Sequence, residues 1–550
     1  MHDYSLQPLR KKNKMKPEWL KDAVIYQIYP QSFQDTNADG IGDFNGIIQR
    51  LNYIKSIGVN TIWMNPCFDS PFFDAGYDVR DFYKTAPRYG TNDDLKKLFR
   101  AAHKQGIRVV LDLVAGHTSM DNQWFVESSK PERNEYSDRY IWKNRDFDPK
   151  AGPTEKNYVH NFFTCQPALN FGYAKKEEPW QQPVDAPGPK KNIQALKDIM
   201  AFWMDMGCDG FRVDMASSLV KKDPDHVETA KIWHNIRHWF DSHYPECILL
   251  AEWSNPAEAI PAGFHLDFLM HFNRPIYKSL FFNGMGTLPP KPYKNCYFSA
   301  DGNGTPWDFL PEYIRQLKAV EGRGYISLPT ANHDFQRLHC SPRDKEAELR
   351  VSWVFLMTQP GIPTIYYGDE IGMKFIENTP AKEGSTLIGI VAPNAGGIGG
   401  ERAGTRTPMQ WDSSPNAGFS TAKAEQLYLP LDPDCNRPTV ESQEKDPNSM
   451  LNFVRKLLQI RKENPALGSE GNFRVLMDES CCYPLVYSRK YGNKRYMIAV
   501  NPSEQQVSIA LDLSHKSFTE LFCNAIKMDP HENKIELTLD AFGYGIIAMD

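Results

Sequence analysis

The sequence predicts an α/β protein: a parallel (β/α)8 barrel with an inserted subdomain after its third strand and a C-terminal all-β sandwich domain. Three observations carry this reading. From Trp19 onward eight short apolar runs alternate with amphipathic stretches of helical length; acidic and imidazole side chains gather at the C-terminal ends of those runs; and from about 468 the pattern changes to short alternating strands.

Taken in order, the candidate barrel strands are AVIYQIYP (23–30), TIWMNP (61–66), RVVLDLV (108–114), GFRVDM (210–215), ILLAEW (248–253), FHLDFLM (264–270), YISLPTA (325–331) and IPTIYYG (362–368). FNGIIQRLNYIKSIG and NDDLKKLFRAAHKQG, between early pairs of strands, read as helices. Two gaps exceed ordinary connections. Residues 118–195, rich in Asn, Pro, Lys and aromatics, read as a subdomain over the barrel mouth. Residues 371–445 hold a glycine-rich patch, NAGGIGGERAG, and then RTPMQWD, and read as an ordered loop with a mobile portion. The expected division is therefore a tail over 1–18, the barrel over 19–117 and 196–465, the insertion over 118–195, the long loop over 371–445 and a β domain over 466–550. In that last domain YPLVYSRK, RYMIAVN, QVSIALDL, KIELTLD and GIIAMD are the strands.

At 550 residues the chain can bury a large core and hold more than one domain. A net charge of −5, from 63 basic and 68 acidic residues with no long run of either sign, points away from nucleic acid and membrane surfaces as partners. An aromatic share of 12% suits a protein that stacks rings on flat, weakly polar ligands. The ten cysteines are scattered without a CxxC pair, as expected of buried thiols in a reducing compartment. No apolar h-region follows the basic N-terminus, and no run approaches 18 apolar residues. A soluble cytoplasmic protein, monomer or homodimer, is expected; a periplasmic or secreted one stays open if a signal peptide has been removed.

In GFRVDM, strand alternation puts Arg212 and Asp214 on one face and Phe211, Val213 and Met215 on the other. A guanidinium that close favours the ionised carboxylate a nucleophile needs. An isolated R-x-D would be a plain ion pair, but two more strands deliver carboxylates, Glu252 in LLAEW and Asp334 in SLPTANHD. Two carboxylates flanking one bond are the machinery of glycoside cleavage. Asp214 suits the nucleophile, and Glu252, between Ala251 and Trp253, the general acid with a raised pKa. Asp334 would complement an oxocarbenium-like transition state. His117, His333 and Asn332 add neutral hydrogen-bonding groups at the same rim.

DLVAGH (112–117), QPALN (166–170), GFRVDM, AEWSNP (251–256), TANHD (330–334) and GIPTIYYGDE (361–370) resemble the ordered motif series of the α-amylase superfamily, glycoside hydrolase family 13. Within it AGYD (75–78) and RTPMQWDSSPNAGFS (406–420) are similar to the α-glucosidase, oligo-1,6-glucosidase and trehalose synthase branch. The resemblance covers about 19–550. It implies a retaining double displacement with Asp214 as nucleophile, Glu252 as acid/base and Asp334 as transition-state stabiliser. It also implies that Asp112, His117, Arg212 and His333 line the −1 sugar site, that Tyr77 stacks on the sugar ring, and that Asp74 pairs with Arg406 to close the pocket round a terminal glucose.

DTNADGIGD (35–43) sets Asp35, Asn37, Asp39 and Asp43 at alternate positions, the oxygen-ligand spacing of a calcium loop, though an Asx-rich turn has the same look. Gly46 at the twelfth position rules out an EF-hand. The resemblance implies a structural Ca²⁺ here, with the Ile41 carbonyl contributing and no catalytic part; no organic cofactor is expected. Three positions depart from the family pattern. Gly116 stands where many amylases have a calcium-ligating Asn, Ala168 replaces the Asp of QPDLN, and Met-Ala-Ser-Ser follows Asp214 without the Lys-His of endo-amylases. Met215, where oligo-1,6-glucosidases usually have Val, leans towards α-1,4 or other linkages. Three functions follow: an exo-acting α-glucosidase on short oligosaccharides or disaccharides, a trehalose synthase-like intramolecular transglucosylase isomerising maltose, or a non-catalytic glucosidase-like scaffold.

Overall fold

Eight strands, β1 (Ile25–Ile28), β2 (Thr61–Met64), β3 (Arg108–Val114), β4 (Gly210–Asp214), β5 (Ile248–Ala251), β6 (Leu266–Phe268), β7 (Tyr325–Ser327) and β8 (Thr364–Tyr366), pair in parallel in the order β8-β1-β2-β3-β4-β5-β6-β7. The ring closes between β7 and β8 by main-chain bonds: Ile362 N–H donates to the Ile326 carbonyl and Thr330 N–H to the Thr364 carbonyl, both at 2.9 Å. The computed structural model describes residues 16–148, 150–270, 276–281, 296–341, 343–385, 402–513, 517–532 and 534–549.

The two helices read from the sequence form for local reasons. In α1 (Phe44–Ile57) Asp43 caps the first turn by accepting from Gly46 N–H, and Gly58, at φ 108°, ends the helix in a conformation that suits glycine. In α2 (Asn92–Lys104) Thr91 and Asp94 form a reciprocal capping box, and Leu95, Leu98, Phe99 and Ala102 bury one face. Each fully buried Leu or Phe contributes about 1.5–3 kcal/mol of transfer free energy. The insertion passes into α3 (Pro187–Met206), which begins ahead of the expected boundary at 195 because Pro187 at its first turn loses no helical hydrogen bond.

All eight strands lie where the sequence placed them, but only β3 fills its expected range, and β6, β7 and β8 keep three residues each within 264–270, 325–331 and 362–368. After Ser327 the chain leaves the sheet, so Asp334 sits on a turn rather than at a strand end. The glycine-rich patch lies outside the described residues up to position 401.

Beyond the barrel, β9 (Asn472–Val475), β10 (Leu485–Tyr491), β11 (Lys494–Val500), β12 (Val507–Asp512), β13 (Phe518–His531) and β14 (Lys534–Met549) form one antiparallel sheet in the order β9-β10-β11-β14-β12, with β13 also on β14. Val486, Met497, Leu537 and Ile547 build its own core, while Leu485, Tyr487 and Ile498 face the barrel core. The buried Arg489 guanidinium stitches the two together by donating to the carbonyls of Thr358, Gly468 and Gly471. All ten cysteines are unpaired; only Cys435 is exposed. No helix among the described residues is long and apolar enough to cross a membrane.

Candidate active site

The register of β3 and β4 sets Asp112 beside Arg212 and Val114 beside Asp214. Alternation then turns Arg212 and Asp214 inward together, as the sequence implied. Arg212 Nη1 donates to Asp112 Oδ1 at 2.9 Å and to Asp214 Oδ1 at 3.0 Å. Its Nη2 lies 2.6 Å from Glu252 Oε1, a close ion pair whose angle falls short of a hydrogen bond. Asp214 and Glu252 are thus held side by side by two nitrogens of one guanidinium, an arrangement suited to the separation of roughly 5 Å used by retaining glycosidases.

Two main-chain features fix Glu252. Met215 takes a left-handed conformation, φ 43°, and its N–H donates to Glu252 Oε2 at 2.9 Å. On β6 the buried Asp267 carboxylate accepts from the N–H groups of Trp253, Ser254 and Asn255 at 3.0, 3.3 and 2.9 Å, which shapes the turn after Glu252.

Burial pushes the carboxyls of Asp214 and Glu252 up, and the neighbouring Glu252 adds to the rise at Asp214 while Arg212 opposes it. Two buried carboxyls this close titrate jointly, so their pKa values belong to the pair. Asp334 differs. Burial works against its charge, but its surroundings hold it well below the usual carboxylate range. Arg402 Nη1 donates to Asp334 Oδ1 at 2.5 Å and Arg406 Nη2 at 3.3 Å. His333 Nε2 is 3.3 Å from Asp334 Oδ2, but that ring is neutral. Burial pushes its pKa well down, and Nδ1 accepts from Gln27 Nε2 at 3.0 Å and Asn65 Nδ2 at 3.2 Å, so the proton resides on Nε2. The two arginines, not an imidazolium, balance Asp334. His117 is likewise neutral, pushed by burial down to about 3, with Nε2–H donating to the Tyr77 carbonyl at 3.1 Å.

A cavity of about 340 Å³ opens onto these groups. Asp74, Tyr77, His117, Asp214, Glu252, His333 and Asp334 line it, as the sequence anticipated. Asp112, Arg212 and Arg406 do not: each is about 1% exposed and lies behind the wall. The Tyr77 ring stacks on His333, centroids 5.4 Å apart and planes at 11°, and its hydroxyl bonds Asp112 Oδ2 at 3.0 Å and His333 Nε2 at 2.8 Å. The partner expected for Asp74 is also different. Arg406 is drawn to Asp334 and to the His333 carbonyl at 2.7 Å, and the guanidinium near Asp74, at 3.5 Å, is that of Arg402. Gln166 Nε2 holds the other Asp74 oxygen at 2.8 Å. Asn332 orders the turn of Asp334, whose N–H donates to Asn332 Oδ1 at 2.8 Å.

Arg402 escaped the sequence reading, although it stands four residues before Arg406. Met215, which the sequence marks by its departure from Val, also lines the wall, whereas Phe162, Ser217, Trp253 and Ser254, which form the rest of it, have no pattern that could have singled them out. Ala168 is fully buried and bridges to His117 through its backbone, and it does not line the cavity. At Gly116 a Cβ would come 2.7 Å from Asn161 Nδ2; Asn161 takes that space and accepts at Oδ1 from the half-buried Lys221 ammonium at 2.5 Å.

The 35–43 loop is organised by its own backbone. Asp35 Oδ1 accepts from Asn37 and Ala38 N–H, Oδ2 from Gly40 N–H, Asp39 Oδ1 from Ile41 N–H, and Asp43 from Thr36 and Gly46 N–H. The donor set is all hard oxygen, which suits Ca²⁺. Among the described residues, however, no three Asp, Glu, His or Cys side chains converge on one point as ligands.

Two families match the chain: Alpha amylase, catalytic domain, over residues 27–470, and Maltogenic Amylase, C-terminal domain, over 474–546. A trehalose synthase/amylase of Mycolicibacterium smegmatis is 31% identical over 509 residues, covering 83% of this chain and 78% of that protein. An oligo-1,6-glucosidase of Parageobacillus thermoglucosidasius is 29% identical over 558 residues, covering 89% and 92%. The crystal structure of an isomaltulose synthase variant from Erwinia rhapontici NX5 in complex with D-glucose aligns with a TM-score of 0.77 at 27% identity, covering 98% of this chain and 100% of that one.

Proposed function

The chain belongs to the α-amylase family of glycoside hydrolases and transglycosylases, and from that premise we propose that it cleaves α-glucosidic bonds of short oligosaccharides or disaccharides from the non-reducing end. The observation that carries this reading is the single guanidinium of Arg212 holding Asp214 beside Glu252 in the wall of a sugar-sized cavity.

Asp214 attacks the anomeric carbon while Glu252 gives its proton to the departing glycosidic oxygen, leaving a glucosyl ester on Asp214. Glu252, now a carboxylate, takes the proton of the incoming hydroxyl as that ester breaks. The ionised Asp334 faces the positive charge that develops on the sugar ring. Asp74 and Arg402 supply an acceptor and donors for hydroxyls at the far end of the ring, so one terminal glucose fits and a longer chain at that end does not.

A second reading is transfer within the site, as in a trehalose synthase. It is supported by the likeness to the mycobacterial relative and to an isomaltulose synthase. The chemistry differs only in whether water or a sugar hydroxyl attacks the ester. Incubation with maltose, isomaltose, trehalose, sucrose and maltotriose, with all products identified, separates the two: glucose alone from maltose marks the hydrolase, and accumulating trehalose the isomerase. Asp214→Ala should lose at least about 10⁴-fold in kcat on an aryl α-glucoside. Unchanged hydrolysis by that variant would remove the covalent mechanism and leave the non-catalytic scaffold. We also propose that Asp35, Asn37, Asp39, Asp43 and the Ile41 carbonyl take a structural Ca²⁺, supported by their spacing and oxygen chemistry.

A further inference from the structure

The long loop after β8 is tied to the loop after β2 at one turn beside the sugar pocket. Arg88 donates from Nη1 and Nη2 to the two oxygens of Glu383, both at 2.9 Å, a bidentate pair with each side chain about 15% exposed. The Arg88 guanidinium lies 3.1 Å from the centroid of the Phe72 ring, two residues before Asp74. Glu383 Oε2 also accepts from the Tyr428 hydroxyl at 2.9 Å, which in turn meets the Tyr29 hydroxyl at 3.1 Å.

What this anchor holds is not relaxed. Glu383 is left-handed at φ 42°, a conformation that costs a non-glycine residue about 1 kcal/mol or more and persists only when its surroundings impose it. Gly384 follows at φ 67°, and a Cβ there would lie 2.3 Å from Asp74 Oδ1, so the main chain at 384 presses directly on the pocket carboxylate. The Gly384 carbonyl accepts from Arg402 Nη2, and Arg402 N–H donates to the Ser385 carbonyl at 2.9 Å. One turn, 383–385, is therefore pinned by Arg88 on one side and positions Arg402 on the other. Arg402 reaches both Asp334 and Asp74.

We propose that Arg88 and Glu383 form a latch: positioning residues that fix the 383–385 turn, and through it Arg402, so that the glucosyl pocket binds tightly and stays sealed while the ester on Asp214 awaits its acceptor. This rests on the glycosidase reading above. The ester bond breaks in one of two balanced ways. Water attacks, its proton passes to Glu252, and glucose leaves; or a sugar hydroxyl attacks, its proton passes to the same carboxylate, and a new glycoside leaves. A loosened turn admits water and favours the first. It also weakens ground-state binding more than bond cleavage, because among the described residues Arg88 and Glu383 bond none of Asp214, Glu252 and Arg212, and Arg406 still balances Asp334 when Arg402 moves.

The test uses Glu383→Gln, Arg88→Gln and the charge-reversed pair R88E/E383R, with 4-nitrophenyl α-D-glucopyranoside as both donor and acceptor. Nitrophenol counts esters formed and free glucose counts those lost to water, and thermal unfolding is recorded on the same samples. We expect both single variants to raise KM about tenfold, within the range that a misplacement of about 1 Å produces. We expect kcat to change less than threefold, any transfer seen in the parent to give way to glucose, and the reversed pair to recover much of the parent KM. A folded Glu383→Gln with parental KM and product ratio overturns the latch, as does a fall in kcat/KM that follows a loss of thermal stability at constant KM. Failure of the parent enzyme to release nitrophenol would instead strike the glycosidase reading.

Discussion

Replacing Arg212 with Met keeps most of the volume and removes the one guanidinium that, among the described residues, touches Asp112, Asp214 and Glu252. Two unit charges about 4 Å apart interact by about 4 kcal/mol at the effective dielectric of a protein site. Losing that interaction pushes further up the Asp214 carboxyl, which burial and the neighbouring Glu252 already raise. The nucleophile would then hold its proton more tightly, and kcat/KM on an aryl α-glucoside should fall at least about 10³-fold, with the residual activity rising towards alkaline pH as Asp214 ionises. Stability should respond with a definite sign. Carboxyls raised in the folded state bind protons that the unfolded chain has released, so stability falls as pH rises from the unfolded value of about 4 through the raised folded values. Arg212→Met should therefore unfold nearest to the parent at pH 5 and furthest below it at pH 8. A variant within tenfold of the parent at pH 7, with the same pH optimum, would refute the claim that one guanidinium sets the ionisation of this site.

Two further outcomes are expected. The buried Glu370 accepts from the hydroxyls of Tyr26 and Tyr53 at 2.8 and 2.6 Å, has no hydrogen-bond partner at Oε2, and is pushed by burial up to about 7. Its cost grows as pH rises from about 4 to 7, so Glu370→Gln should match the parent at pH 5 and exceed it by about 2 kcal/mol at pH 8 in urea unfolding. An equal difference at both pH values would dismiss that titration. If the 35–43 loop holds Ca²⁺, EDTA should lower Tm by about 2 °C, consistent with losing a ligand present at about 100 times its Kd from a chain of this size. Added Ca²⁺ should restore it, and Asp39→Ala should abolish the difference; a Tm indifferent to EDTA ends the proposal.

Much of this protein is legible in its sequence, because the signals are local. The β4 alternation that turns Arg212 and Asp214 to one side depends only on strand geometry, and the eight apolar runs depend only on burial from both faces. Those two features, with Glu252 and Asp334 placed at the barrel mouth by the order of motifs, were sufficient to anticipate the barrel and its three acids. The choice between Arg402 and Arg406 as the partner of Asp74 was not legible, since both lie in one loop and only the path of that loop past residues 383–385 brings Arg402 forward and leaves Arg406 behind Asp334. Nor was the neutral state of His333, which follows from donors on Gln27 and Asn65, some 306 and 268 residues away in sequence. The wall formed by Phe162, Ser217 and Trp253 brings separate segments together, and the clamp of Asp267 on the turn after Glu252 depends on β6 lying beside β5. Residue type and spacing report what one stretch of chain can do by itself; which guanidinium meets which carboxylate is decided by packing many segments at once, and only the folded chain contains that.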